Sequence, residues 1–243
     1  MDGQLVKFEY LPSQGKQYPE EMEIYIKPIS LREQIDMDRY GISQAEYYQQ
    51  ALDGITIKGD FDKTNLLFYD VQFMDLIRRL YTFDTEDEIV IKDYVCPSCD
   101  GTVDYSFMLD QVKFTDYKED IFNKVFTFSD GLEIVIYPLT VLEFIRMAKK
   151  YFSNGSNKSE ADAILGYYNY CIKEVKNKEF KNNEERNKFL TNYLGNINKY
   201  KDIKILKQIE EDTTCQIVPF ETTCPKCGGK VEVRLFPSAQ FQQ

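Results

Sequence analysis

The chain contains no histidine and no tryptophan. Without histidine it lacks the commonest general base near neutral pH and the commonest ligand of catalytic metals, so no Ser-His-Asp or Cys-His arrangement can be assembled. Long apolar runs are missing too. No stretch approaches the roughly 18–20 residues of a membrane span. The opening MDGQLVKFEY lacks the basic-then-apolar order of a signal peptide. A reducing compartment is therefore expected, where paired C-x-x-C motifs favour metal over disulfide. Positive charge is also short: 30 Lys and Arg stand against 40 Asp and Glu, for a formal charge of −10. That sign repels a phosphate backbone and puts nucleic acid at a disadvantage as a partner, while leaving protein partners open.

What is present supports a real core. Of 243 residues, 43 % are hydrophobic, with 18 Tyr and 17 Phe, enough for one large domain or two small ones. Of the six cysteines, four fall in two knuckles, CPSCDG at 96–101 and CPKCGG at 224–229. The surroundings match as well. YVCPSCDGTVDYSFML at 94–109 parallels TTCPKCGGKVEVRLFP at 222–237, each a knuckle followed by an alternating, strand-like run. In such a turn two sulfurs converge on one metal; Pro97 and Pro225 restrict it, and Gly101, Gly228 and Gly229 tolerate positive φ and leave amides free to face the thiolates. Two knuckles together make a closed four-sulfur site, Cys96, Cys99, Cys224 and Cys227, for one structural zinc. The alternatives are two metal-free turns or a redox pair, and a thioredoxin-like pair is disfavoured because neither motif opens a helix in a βαβ context. Cys171, on the apolar side of a helical pattern, reads as a small core residue, and Cys215 as structural.

A second repeat precedes the knuckles. EIYIKPISLREQIDM at 23–37 aligns without a gap to EIVIYPLTVLEFIRM at 133–147, with seven of fifteen positions identical. Each segment reads as a strand, a proline that ends it and a capped helix, with Ser30-x-x-Glu33 and Thr140-x-x-Glu143 as capping boxes. The expected fold is therefore α+β: two related strand–helix–knuckle halves, 1–115 and 116–243, joined in one compact unit by a shared zinc-ribbon-like site, with helical insertions. Helices are expected over 31–40, 44–52, 64–81, 141–152, 159–176, 183–196 and 200–211. Strands are expected over 5–10, 22–27, 88–95, 102–108, 124–128, 132–137, 216–222 and 230–236.

Other motifs carry less. LPSQGK at 11–16 lacks the spacing and the magnesium-binding hydroxyl of a phosphate loop, and reads as an arm and turn ahead of a strand. Acidic clusters such as DTEDE at 84–88 are explained by a solvated acidic surface. Arg78 and Arg79 fall late in a helix, where cations complement the dipole. Phe236 and Phe241, beyond the last knuckle, fit either a frayed tail or a segment that docks on a partner.

The order of these parts matches a known pattern. The LPS-x-G-K opening, the strand-Pro-helix, the middle segment NLLFYDVQFMDLIRRLYTFDTEDEIVIKDYVCPSC, the second strand-Pro-helix and the closing CPKCGG with its aromatic tail resemble the baseplate hub and assembly proteins of T4-like contractile-tailed bacteriophages, from about residue 8 to 241. The chain departs from that pattern in Asp100, where glycine is usual, and in extra length through 173–212. The resemblance implies a non-enzymatic component of the tail baseplate, assembled in the host cytoplasm and bound in a hetero-oligomer to other baseplate and tail proteins, with no membrane involved. It also allows an assembly chaperone absent from the finished virion. A zinc-ribbon nucleic-acid-binding protein is the reading from another class; Lys226, Lys230 and Arg234 give the second knuckle a local basic side, and the overall charge opposes it.

Overall fold

A computed structural model describes residues 4–6, 11–37, 42–82, 88–108, 111–115, 119–152, 159–215 and 217–234. The first repeat supplies β2 (Glu23–Ile26), which lies between β1 (Gln4–Val6) and β3 (Ile55–Lys58) in an antiparallel sheet. Between β2 and β3 run α1 (Leu31–Met37) and α2 (Gln44–Asp53). The second repeat supplies β7 (Glu133–Ile136), which lies between β6 (Val125–Thr127) and β8 (Ile172–Val175), with α4 (Val141–Tyr151) and α5 (Glu160–Cys171) between β7 and β8. Each aligned strand is thus the middle of a three-stranded antiparallel sheet. The pairing is alike as well: Ile24 and Ile26 face Ile57 and Ile55, while Ile134 and Ile136 face Val175 and Ile172.

Each sheet is followed by helix and then hairpin. After β3 comes α3 (Phe68–Thr82) and the hairpin β4 (Glu88–Val95) and β5 (Thr102–Met108). After β8 come α6 (Asn183–Gly195), α7 (Tyr200–Thr213) and the hairpin β9 (Phe220–Thr223) and β10 (Lys230–Val233). A single 3-10 turn, Lys63–Asn65, occupies the start of the segment expected as one helix over 64–81. Among the described residues no helix is long and apolar enough to cross a membrane.

Two of these strands carry no clear strand signal in the sequence. Residues 159–176 were expected to be one helix, but it ends at Cys171 and the chain continues as β8. Ile172 and Val175 are three apart, a spacing that serves a helix face or, with the register shift at Val135/Ile136, a bulged strand. The open edge of β7 decides in favour of the strand, because both side chains are buried there. β3 was not anticipated at all; ITIK alternates weakly and is held by its pairing with β2. The strand expected at 216–222 pairs over Phe220–Thr223, preceded by an isolated bridge of Ile217 to Phe114. The parts of the predicted strands and helix at 7–10, 38–40 and 235–236 lie outside the described residues.

The main apolar core gathers residues from both ends of the chain. Leu11, Ile24, Ile26, Ala45, Tyr48, Leu52, Met74, Ile89 and Ile91 share it with Val141, Ile145, Ala148, Phe220, Val231 and Val233. A second core, with Ile134, Ile136, Tyr168, Leu190, Leu194 and Ile209, lies between the β6–β8 sheet and the helices α5 to α7. The starts of α3 and α4 are tied by Phe68 N–H to Leu139 O (2.9 Å) and Val141 N–H to Leu66 O (2.8 Å).

Two buried polar groups organise the first core. The LPSQGK arm turns with Gln14 at φ 58° and Gly15 at φ 68°, and is latched onto Asp70 in the first turn of α3. Ser13 donates through its amide and its hydroxyl to the two Asp70 oxygens (2.9 and 2.5 Å), and the Tyr18 hydroxyl adds a third bond (2.6 Å) while accepting from Leu67 N–H (2.9 Å). Burial pushes the Asp70 carboxyl up to about 6, against the pull of the Ser13 and Tyr18 donors. Arg78, expected late in a helix where a cation complements the dipole, is 1 % exposed. Its guanidinium lies over Gly54, where a Cβ would sit 1.9 Å from Cζ, and donates to Lys27 O (2.6 Å) and to Glu33 Oε1 (2.9 Å). A long cation can be buried there because its donors meet a carbonyl and a carboxylate.

Candidate metal centre

The β4–β5 and β9–β10 hairpins carry the two knuckles at their tips. Both turns close by the same pair of backbone bonds. Cys96 N–H donates to Gly101 O (3.0 Å) and Asp100 N–H to Cys96 O (2.9 Å); Cys224 N–H donates to Gly229 O (2.8 Å) and Gly228 N–H to Cys224 O (2.7 Å). The left-handed residue is the fifth of each motif, Asp100 at φ 54° and Gly228 at φ 72°. Positive φ was expected at Gly101 and Gly229 as well, but those glycines serve close approach instead. A Cβ on Gly101 would lie 3.2 Å from Cys99 Sγ and 2.8 Å from Lys226 Cδ, and one on Gly229 would lie 3.3 Å from Cys227 Sγ and 3.2 Å from Ser98 Oγ. The third residue of each knuckle therefore reaches over the last glycine of the other.

The fold brings all four predicted ligands together. The sulfurs of Cys96, Cys99, Cys224 and Cys227 lie within 4.8 Å of one another. Cys96 and Cys227 are 3.9 Å apart, as are Cys99 and Cys224. A disulfide needs about 2.05 Å, whereas the edge of a tetrahedron with Zn–S bonds of 2.3 Å is about 3.8 Å. The cluster thus has the dimensions of a four-thiolate metal site. Cys96 and Cys224 are buried in the core, and Cys99 and Cys227 face outward. Burial alone would raise the Cys224 thiol, but the amides of Cys227 and Lys226, with the thiols of Cys96 and Cys227, bring it down to about 6. Cys99 moves up to about 12: the Gly101 amide favours its thiolate, and the thiol of Cys227, then burial, then Cys96 and Cys224 outweigh that. Four sulfurs around one tetrahedral metal would leave no position for water or substrate.

The hairpins are also fastened to each other along their strands. Phe107 stacks on Phe220 with ring centroids 3.9 Å apart, and the Tyr94 hydroxyl donates to Glu232 O (3.1 Å). Cys171 is buried next to Leu139 and Met147, and Cys215 lies beside Thr115, so neither joins the cluster. Phe236 and Phe241 lie outside the described residues.

Asp100 holds a conformation that its counterpart Gly228 adopts without a Cβ penalty. An Asp100→Gly variant is expected to raise stability by about 1 kcal/mol with metal content unchanged, read from urea unfolding beside metal analysis. A loss of stability would show that the Asp100 side chain does more than occupy the turn.

Searches of curated proteins and of solved structures return no match. A family model, described as T4 bacteriophage base plate protein, matches residues 5–241. That span takes in both strand-Pro-helix repeats, the Asp70 latch and both knuckles, and the chain belongs to the T4 bacteriophage base plate protein family.

Proposed function

We propose that this chain is a structural component of the hub region of a contractile-tail baseplate, acting by protein–protein contacts and stabilised by one zinc. The observation that supports the baseplate role is the family match over residues 5–241. The zinc reading is supported by the four-sulfur cluster, drawn from hairpins whose cysteines stand 125 residues apart. On this reading zinc has no chemistry to perform. It joins two duplicated halves, 1–115 and 116–243, and its binding free energy, on the order of 10 kcal/mol in small peptides, offsets a loop-closure cost that grows slowly with length. The net charge of −10 suits protein neighbours better than nucleic acid.

Two measurements test this together. Metal analysis of the purified chain is expected to find one zinc per chain; two, or none, would sink the shared site. Mass spectrometry of purified virions is expected to find the chain as a stoichiometric component. Its absence from virions, with presence in assembly intermediates, would make it an assembly chaperone instead.

A further inference from the structure

The Ser13–Asp70 latch has a counterpart later in the chain. Ser129, between β6 and β7, donates through its amide and its hydroxyl to the two oxygens of Asp202 (2.8 and 2.6 Å), as Ser13, between β1 and β2, does to Asp70. Asp70 and Asp202 each stand third in the helix that leads to a knuckle hairpin. By this device α7 corresponds to α3, and α6 is an element that the first repeat lacks.

Where α6 meets α4 and α5 it leaves a hollow of about 570 Å³, within the roughly 300–1,000 Å³ of ordinary ligand sites. Lys150 comes from α4, Asn169 from α5, and Glu184, Arg186, Lys188 and Thr191 from α6. Three cations thus line it against one carboxylate, a local excess of positive charge in a chain of net charge −10. Among the described residues none of the three cations is in an ion pair. Burial pulls the Arg186 guanidinium below its ordinary value, and the charge of Glu143 opposes this only in part. Glu143 is itself already held by Lys173 and by the cap of α4.

Two polar atoms of these lining residues have no hydrogen-bond partner. Asn169 is 6 % exposed; its Nδ2 donates to Thr191 Oγ1 (2.8 Å), and its Oδ1 accepts nothing. Arg186 donates through Nη1 to Lys173 O (3.0 Å) and through Nη2 to Asn187 Oδ1 (3.1 Å), and its Nε is unpartnered. A folded protein seldom leaves such buried groups unmet. The two ask for different chemistry. Nε, with Lys150 and Lys188 on the same hollow, calls for an anion. Asn169 calls for a peptide unit, which carries both N–H and C=O and so satisfies the side-chain amide whichever way it is turned. A phosphate ion, rich in acceptors, suits one orientation alone. An acidic residue within a peptide brings carboxylate and amide together.

We propose that this hollow binds an acidic segment of a partner protein, its Asp or Glu carboxylate held by Arg186 Nε with Lys150 and Lys188, and its main chain by Asn169. This names the chemistry of one contact in the protein–protein reading above and rests on that reading.

The test titrates the isotope-labelled full chain with acetyl-Gly-Glu-Gly-amide, with its Gln counterpart and with inorganic phosphate, following the Asn169 side-chain amide and the Arg186 Nε–H by NMR. The Glu peptide is expected to shift both signals saturably, and the Gln peptide to bind at least tenfold more weakly. A Lys150→Glu/Lys188→Glu variant, changed at two exposed positions, is expected to keep the wild-type melting temperature and to bind the Glu peptide at least tenfold more weakly. Equal binding of the two peptides, phosphate shifting the signals where the Glu peptide does not, no shift with any probe, or a double variant that binds as the wild type does, each overturns the proposal. The comparison of the Glu and Gln peptides on the wild type decides the matter even for a variant that melts early. None of these outcomes touches the baseplate reading, which falls if the chain is absent from both virions and assembly intermediates.

Discussion

Replacing Cys96 with serine is expected to release the metal and lower stability by about 5 kcal/mol or more, a large share of what holds an ordinary domain folded. Three sulfurs and a hydroxyl bind a structural metal poorly, and Cys96 is buried, so its replacement also leaves an oxygen in an apolar core. Cys224→Ser should cost a similar amount, because Cys224 is the buried member of the other knuckle. Urea unfolding with and without a strong chelator separates the two contributions. The wild type should lose stability on chelation, the Cys96 variant should be indifferent to chelator, and a Cys171→Ala variant should still respond, since that thiol is packed away from the cluster. If the Cys96 variant and the wild type respond equally to the chelator, the four sulfurs do not form one metal site.

The second large effect is expected at Asp70. Truncation to alanine removes the common acceptor of Ser13 N–H, Ser13 Oγ–H and Tyr18 Oη–H, leaving buried donors unmet at a cost of about 3 kcal/mol. The pH dependence carries a definite sign. The folded-state value of Asp70 is raised from 3.8 to about 6. Below pH 4 both folded and unfolded chains hold the proton, and the group makes no difference. Between pH 4 and 6 the unfolded chain ionises first, so stability falls as pH rises through that window, by about 3 kcal/mol from this group. Above pH 6 the loss is complete. Asp70→Asn cannot ionise and should flatten that part of the stability curve. An Asn variant with the wild-type slope between pH 4 and 6 would show that other carboxyls set it.

How much of this was legible in the sequence depends on how local the signal is. The knuckles could be read directly, because thiolate spacing and the Pro-Gly turn are written within six residues, and their partnership followed from the matching strand after each. The capped helices could be read because Ser30 and Thr140 each find their glutamate three residues on. The burial of Arg78 could not be read from its place late in a helix: such a cation ordinarily faces water, and only the bare backbone of Gly54 together with Lys27 O and Glu33 makes room for it. Asp70 looked like one of many acids, since its donors come from an arm more than fifty residues earlier. β3 and β8 were hidden because an edge of an existing sheet, rather than their own propensity, selects the strand. The two aligned helices show the same limit from the other side, since one pattern gives a buried face at Val141 and a bare one at Leu31.

The distance between the knuckles also sets a clock on biosynthesis. Cys99 and Cys224 stand 125 residues apart, and a ribosome adding about 5–20 residues per second needs on the order of ten seconds to span them. For that interval the β4–β5 hairpin offers two thiols with no second pair, and Phe107 has no Phe220 to stack on. The core that holds Ile89 and Ile91 also awaits Val231 and Val233, among the last described residues to emerge. The β4–β5 hairpin must therefore wait, unfinished and with oxidisable thiols, until the β9–β10 hairpin has been made. Closure of the cluster is then the step that joins the early hairpin to the late one.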